Sequence, residues 1–573
     1  MILSPKEQID AYVRCGWWGE TTLADLFLDD VSHKPDVEAL VDAPNRAQLA
    51  FGEPQRLTWA GVKSATDRLA SGLLQLGIGK DDVVMVQLPN IVELVVTYLA
   101  CARIGAIISP LPVQFRTHEL RHVLGLTEPK AFLTTHTFAD HNHVAMVQAL
   151  RPEYPSVEHV LALGADLPAG VLSLSEMLTA DVDTSAVDAY AAQHPASADD
   201  VFTICWTSGT VAEPKGVPRS HNLWIAIAYP TVDGAQLQDG DTLLNPFPLV
   251  NMSGIGGMLV PWLLIRGKLV MHHPLDLPVF LDQMGREQVV YTVAPPILLN
   301  LLLLRPGLLD KADLSHVRCI GSGSAPLAPW MVTRWQEEHG IPILNIFGAN
   351  EGTALISDAN DIPDPAERAL YFPRFGVPGF TWSHRLAGMI ETKLLDPTTR
   401  AVISEPDKPG ELAIRGATVF AGYWKRPDLT ARSFDDEGYF LTGDLFAIAG
   451  ENQDRYRFVG RLKDLIIRGG MNIAPEEIEY LLAEHPKVAD VAVVGVPDGR
   501  KLGEEVVTAV VAPREGQKVS LSELAAFLRE KDIASYKVPR KLVVMQSLPR
   551  NAVGKVLKRE IRRQLGVDEQ GAV

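Results

Sequence analysis

The chain's densest set of phosphate-seeking groups runs Thr207, Ser208, Gly209, Thr210, Val211, Ala212, Glu213, Pro214, Lys215, Gly216. Its hydroxyls donate hydrogen bonds, Gly209 lets the backbone come close to a ligand, and Lys215 supplies positive charge. Together these suit a polyphosphate held by main-chain and side-chain donors. An apolar, strand-like run, Val201 to Trp206, leads into the segment. Gly216 follows Lys215, so this is not the GxxxxGK[ST] loop, where Ser or Thr follows the lysine. A second glycine-rich stretch, Gly321 to Pro326, has Pro326 where a dinucleotide fingerprint needs its last glycine. Taken alone, 207–216 also reads as a Ser/Thr-rich surface turn.

Further stretches follow in a set order. They are Asn345-Ile346-Phe347-Gly348-Ala349-Asn350-Glu351, Gly410-Glu411-Leu412 with Gly422-Tyr423, and Tyr439-Phe440-Leu441-Thr442-Gly443-Asp444. After them come Gly460-Arg461-Leu462-Lys463-Asp464 through Gly469-Gly470, Pro475-Glu476-Glu477-Ile478-Glu479, and finally Pro549-Arg550-Asn551-Ala552-Val553-Gly554-Lys555. With the 207–216 loop they resemble the signature blocks of the adenylate-forming superfamily: acyl-CoA synthetases, aryl-acid and amino-acid adenylating enzymes, and beetle luciferases. The resemblance spans nearly the whole chain. It implies activation of a carboxylate by ATP to an acyl-adenylate, with Mg²⁺, and transfer of the acyl group to a thiol such as coenzyme A.

The resemblance also implies a role for each matching residue. Lys555 bridges the carboxylate and the α-phosphate, where cations must offset the repulsion between anions. Glu351 is the Mg²⁺-associated carboxylate, a hard oxygen ligand for a hard ion. Asn350 faces a phosphate oxygen, and Thr207, Ser208, Gly209, Thr210 and Lys215 hold the phosphates. Asp444 and Arg461 take the ribose hydroxyls. Phe347 stacks on adenine, Asn345 meets its exocyclic amine, and Gly348 with Ser324, Ala325 and Pro326 completes that pocket. Lys463 is the hinge between an adenylating and a thioester-forming pose, and Gly469-Gly470 meets the pantetheine arm in the second. Asn251, Ser253, Gly257 and Gly323, beside Gly348, line the acyl pocket.

Three positions depart from the usual pattern. Val211-Ala212 replace the common Thr-Gly, Asn350 replaces a Thr, and Asn251 stands where many acyl-CoA synthetases have His. An Asn at 251 carries no titratable charge, and the Asn350 amide still has N–H groups to donate. The expected activity is an ATP-dependent carboxylate–CoA ligase acting on a medium-sized monocarboxylic acid, fatty, alicyclic or aryl. With no GxSxG motif and no carrier-protein segment in the sequence, free CoA is the expected acceptor. The nearest rival is a stand-alone aryl-acid adenylating enzyme that loads a carrier protein. The opening Tyr12-Val13-Arg14-Cys15-Gly16-Trp17-Trp18 has some likeness to those enzymes. A luciferase-type oxygenase and a non-catalytic nucleotide sensor are the remaining readings, and retention of Lys555 and Glu351 argues against the sensor.

These groups need a scaffold, and its pattern is readable. Thr58 is a helix cap before Val62, Ala65, Leu69, Leu73 and Leu76, which recur at helical spacing, with Gly77 and Gly79 ending the helix. Val83 to Leu88 reads as a buried strand, about Val92 to Ile104 as a helix, and Ala106 to Ile108 as a strand. Such alternation predicts layered α/β architecture. From about Gly376 to Gly460 short runs between turn signals predict a β-rich subdomain. Beyond it, helices from Pro475 and over Leu521–Leu528, and strands over Val491–Val496 and Val506–Val511, predict a small α+β module. The expected domains are 1–460, for the nucleotide and acyl pockets, and 461–573, a mobile lid hinged near Lys463.

Composition bounds the partners. The 573 residues include 53 Lys/Arg and 70 Asp/Glu, a net charge of −17, which disfavours general nucleic-acid or anionic-membrane binding. Residues 461–573 hold 19 Lys/Arg against 16 Asp/Glu, so the module is +3 and the first 460 residues are −20. The four cysteines, Cys15, Cys101, Cys205 and Cys319, form no CxxC pair, which fits a reducing compartment. Apolar runs such as Met258–Ile265 and Ile297–Leu304 are far shorter than the roughly 18 residues of a spanning helix, and the N-terminus does not read as a signal peptide. A cytoplasmic enzyme with a small-molecule acid substrate and no integral-membrane or nucleic-acid partner is expected, with a homodimer left open.

Overall fold

The computed structural model describes residues 1–207, 214–310, 312–352, 354–468, 471–497, 505–531, 533, 535–551 and 555–567. Helix Trp59–Gln75 starts where Thr58 accepts a hydrogen bond from the Gly61 amide. Strand Val83–Gln87, helix Val92–Ile104 and strand Ile107–Pro110 follow in the predicted order. All of Val92–Ile104 is buried, and its two charged side chains are paired, Glu93 with Arg46 and Arg103 with Asp67. Gly105, in left-handed conformation at φ 69°, ends it.

Two large sheets enclose that core. The first has the strand order Gly216–Ser220, Val201–Trp206, Ile107–Pro110, Val83–Gln87, Ala131–Thr135, His159–Leu163, Leu172–Ser173, parallel except at its Gly216–Ser220 edge. The second runs Ala354–Ser357, Ile343–Gly348, Cys319–Gly323, Tyr291–Val293, Thr242–Asn245, Lys268–Met271, Glu38–Val41, Arg56–Thr58. Its interior is parallel and both edge pairs are antiparallel. One apolar core joins residues of both sheets, among them Val84, Leu243 and Met271, to Trp59, Leu94 and Leu99 on the helices between. The β-rich segment is a five-stranded antiparallel sheet, Tyr371–Pro373, Arg455–Arg461, Phe440–Ala449, Gly410–Gly416, Ile390–Leu395.

The C-terminal module has a core of its own, built from Ile473, Ile478, Leu482, Val493, Val507, Leu524 and Leu528. Helices Pro475–Ala483 and Leu521–Glu530 pack on the sheet Val488–Pro497, Glu505–Pro513, Lys541–Val544. The last described helix, Lys558–Gln564, is tied down by a half-buried ion cluster. Lys558 Nζ donates to Glu476 at 2.8 Å and lies 3.0 Å from Glu479. Among the described residues no helix is long and apolar enough to cross a membrane, and the four cysteines are free thiols.

Candidate active site

Strand ends converge on one crevice, as ligand sites in open α/β sheets do. Strand Val201–Trp206 delivers Thr207, whose amide donates to Lys215 O at 3.0 Å and whose Oγ1 accepts from the Lys215 amide at 3.2 Å. The phosphate-seeking loop is thus closed at its stem. Ser208, Gly209 and Thr210 lie outside the described residues.

Strand Ile343–Gly348 carries Asn345, Phe347 and Gly348. Asn345 is buried, and its amide donates to Arg368 O and Ala369 O at 3.0 and 3.1 Å. Both N–H groups are spent, so its oxygen is the part left to accept. Phe347 sits edge-on against Phe446 at 5.0 Å and tilted to Phe458 at 6.1 Å, which docks this strand on the antiparallel sheet. The neighbouring strand end delivers Gly323, beside Ile346 in register, and then the exposed Ser324, Ala325 and Pro326. A Cβ on Gly323 would stand 2.1 Å from Ile346 O, so only glycine allows this approach.

Past Gly348 the chain turns sharply. Asn350 Oδ1 accepts from the Met252 amide at 2.9 Å, and its Nδ2 donates to Trp206 O at 3.2 Å. That side chain joins the loop stem to the helix that starts at Met252, using one of its two N–H groups. Glu351 Oε1 accepts from the Tyr423 hydroxyl at 2.8 Å, and the Lys215 ammonium lies 4.6 Å above the same ring. Burial, then the adjacent Glu351 charge, raises the Tyr423 phenol above its usual pKa, so it stays a donor. Gly352, at φ 99°, has Thr418 O where a Cβ would be, and Thr418 Oγ1 donates to Gly352 O at 2.8 Å. Fully buried Arg219 donates to Asn350 O at 3.0 Å and to Thr418 O at 3.1 Å, fixing the turn from below. Burial lowers its pKa to about 9.

Asp444 and Arg461 face each other across adjacent strands, Oδ1 to Nε 3.2 Å. Burial raises Asp444, while Arg461, Lys555 and Lys463 pull it down. Lys463 lies in the turn Leu462–Asp464 immediately after this strand and is exposed. From the C-terminal module comes Lys555. Its amide donates to Asn551 Oδ1 at 2.8 Å, and Asn551 N donates back to Lys555 O at 2.9 Å. Burial, then the nearby Arg461 charge, lowers the Lys555 ammonium to about 7. Lys555 thus shares one electrostatic cluster with Asp444, Arg461 and Lys463. Gly469 and Gly470 lie outside the described residues.

Beyond Phe347 opens a cavity of about 690 Å³, its mouth included. Ser253, Gly257, Gly323 and Gly348 line it with Met252, Phe247, Ile346 and Ile356, and no described lining residue is charged. A π-type turn at Ile255–Leu259 widens the helix that presents Gly256 and Gly257, a feature common at functional sites. Asn251 does not line this cavity. Its oxygen caps the helix start, accepting from Ser253 N at 3.1 Å and Gly254 N at 3.3 Å.

Sequence reasoning gave no role to Tyr423, Arg219, Phe446 or Phe458. Only Tyr423 carried a signal, as part of the Gly422-Tyr423 block. The other three act through long-range packing.

Comparison with known proteins agrees with this geometry. Residues 27–424 match the family profile "AMP-binding enzyme", and 477–555 match "AMP-binding enzyme C-terminal domain". The medium-chain fatty-acid–CoA ligase of Escherichia coli (strain K12) is 31% identical over 570 residues, 97% of this chain and 94% of that protein. The indoleacetate–CoA ligase of Aromatoleum aromaticum is 32% identical over 522 residues, 91% and 95% of the two. Among solved structures, ATP-bound MatB from Rhodopseudomonas palustris superposes with a TM-score of 0.77 at 26% identity, covering 95% of this chain and 99% of that one. Matched by both family profiles in order and aligned almost end to end with its relatives, the chain belongs to the AMP-binding enzyme family, within the adenylate-forming superfamily.

Proposed function

We propose that the protein is an AMP-forming carboxylate–CoA ligase for a medium-sized, largely apolar monocarboxylic acid. The observation that carries this reading is a charge cluster beside an uncharged cavity: Lys555 acts on Asp444, which faces Arg461, and Phe347, which packs on Phe446 and Phe458 of the same two strands, lines the cavity. A carboxylate seated with its tail in that cavity points its charge at the phosphate groups. Its oxygen attacks the ATP α-phosphorus, pyrophosphate leaves, and acyl-AMP remains. Lys555 and Lys215 offset the negative charge that gathers in that step, and Asp444 with Arg461 fixes the ribose so the α-phosphorus stays in line. The second half exchanges AMP for CoA: the thiol gives up its proton, its sulfur bonds to the acyl carbon, and AMP departs with the electron pair of the broken acyl C–O bond.

The donor set suits Mg²⁺. Glu351 presents a carboxylate with one oxygen oriented by Tyr423, and hard oxygen ligands are what that ion takes. Held there with the nucleotide phosphates, it would supply charge neutralisation.

The uncharged wall supports a monocarboxylic rather than a dicarboxylic substrate, because a second buried carboxylate needs a partner. Several relatives named for medium-chain fatty, indoleacetic and ferulic acids fit such a wall. Residues 461–573 act as the lid, turning about Lys463 between the two half-reactions. The deciding experiment is carboxylate-dependent ATP–pyrophosphate exchange across fatty, alicyclic and aryl acids, followed by CoA. Exchange and acyl-CoA formation are expected. Exchange without thioester on adding CoA, but with loading of a phosphopantetheinylated carrier protein, would replace CoA by that acceptor.

A further inference from the structure

Just past the strand that gives Ala354 and Ile356 to the cavity wall, three side chains converge that the proposed reaction does not use. Asp358 directly follows strand Ala354–Ser357, Asp361 lies in the next turn, and His384 precedes the turn Arg385–Gly388. One ligand atom from each lies within 4.8 Å of the other two. Asp358 is 2% exposed and His384 3%.

Their hydrogen bonding is incomplete. Asp358 Oδ1 accepts from the amides of Asn360 and Asp361 at 3.0 and 2.8 Å, and its Oδ2 accepts from Asn360 Nδ2 at 3.3 Å. Asp361 Oδ1 accepts from the Ser383 amide at 2.8 Å, while its Oδ2 is buried with no partner among the described residues. Neither His384 ring nitrogen makes a hydrogen bond to a described residue. Its Nε2 lies 3.1 Å from Asp358 Oδ2, an ion-pair distance when the ring is protonated. Buried polar atoms left unpaired are costly, so Asp361 Oδ2 and His384 Nδ1 need a partner.

Nearby cations do not provide one. Buried Arg368 spends its guanidinium on Ile343 O, Ile362 O, Pro363 O and the Gln336 side chain. Arg385 pairs with Asp233. Two carboxylates and an imidazole, lone pairs facing one another, are a ligand set. Two ligands of one small divalent ion, each about 2.1 Å from it, stand roughly 3 Å apart, close to the Asp358–His384 spacing.

We propose that Asp358, Asp361 and His384 form a binding site for a divalent transition metal of the zinc class. The imidazole excludes the all-oxygen preference of Ca²⁺ and Mg²⁺, and Zn²⁺ accepts nitrogen and carboxylate oxygen together. The ion would clamp the Arg385–Gly388 turn to the end of strand Ala354–Ser357. That strand lends Ala354 and Ile356 to the acyl cavity, so the metal stiffens the wall against which the acid packs.

The test uses full-length, tag-free protein stripped with a chelator, free of nucleotide and Mg²⁺, then titrated with Zn²⁺ and separately with Co²⁺. About one equivalent is expected to bind, with a visible Co²⁺ spectrum of nitrogen and oxygen ligation and no thiolate band. His384→Ala and Asp361→Asn should each weaken binding at least ~10-fold with unchanged circular dichroism. Glu351→Gln should bind as tightly as the parent, which separates this site from the nucleotide's ion. Absence of binding by the parent, or equal binding by His384→Ala and Asp361→Asn, overturns the proposal. So does an NMR spectrum showing His384 as an imidazolium paired with Asp358 that added metal leaves unchanged.

Discussion

Lys555 is useful in proportion to how far it departs from an ordinary lysine. Burial brings its pKa to about 7, so the free protein holds both charge states near neutrality. Only the ammonium can offset the charge of the adenylation step. The sign follows: protonated and competent below about 7, neutral and ineffective above it. Phosphates arriving with ATP favour the charged form and raise the pKa. We expect kcat/KM for adenylation to fall as pH rises through about 7, and kcat to hold to higher pH. Lys555→Ala should lower pyrophosphate exchange at least ~10²-fold and remove that limb of the profile. Unchanged exchange would strip the residue of its role. Glycines of the acyl cavity separate in the same way. A Cβ on Gly257 meets nothing within 4 Å, whereas on Gly323 it meets backbone. Gly257→Val should therefore fold normally and project into the cavity, raising KM for long acids about 10-fold while sparing short ones. A uniform loss across acid lengths would show that this wall does not measure the chain.

At the scale of elements, the helix Val92–Ile104 carries the most structural weight, since it is wholly buried between the two sheets. Leu99→Ala leaves a hole with little room to collapse, and about 2–5 kcal/mol of stability should go with it, read as a fall in the denaturation midpoint. A shift under ~0.5 kcal/mol would mean the core is looser than its packing indicates. This helix was legible in the sequence because its apolar run, the preceding strand Val83–Gln87 and the terminating Gly105 agree at every local level. Strand Ile343–Gly348 and the facing Asp444 and Arg461 carry the sequence blocks by which the family resemblance was legible. The segment from Asp358 to Gly388 was not. It has little periodicity, and its Asp358, Asp361 and His384 meet only because a buried strand edge and a returning loop bring them together. Asn251 was misleading for a related reason: its family position borders the acyl pocket, but Asn is also a strong helix cap, and capping uses its oxygen.

For the whole molecule, charge and motion are one problem. A body of −20 has no net attraction for ATP, so the few local cations must outweigh it, and the most important of them arrives on a module of +3. That module is packed here with Lys555 inward and its last helix locked by Lys558 to Glu476 and Glu479. Ion pairing of this kind and a core of its own hold the module together, so a change of pose is expected to be absorbed where it meets the body. The strand bearing Arg461 ends at Gly460-Arg461, and the short turn Leu462–Asp464 follows. Lys463 sits in that turn, at the point where the body's last strand passes into the C-terminal module. Lys463→Pro tests the hinge, because the ring fixes φ near −65°, a value already suited to a 3₁₀ turn. Adenylation, measured by single-turnover acyl-AMP formation, should survive within about 3-fold, while transfer from preformed acyl-AMP to CoA should slow at least ~10-fold. If both halves slow together, the substitution has damaged the adenylating pose itself. If neither slows, the rotation is absorbed elsewhere in the linker.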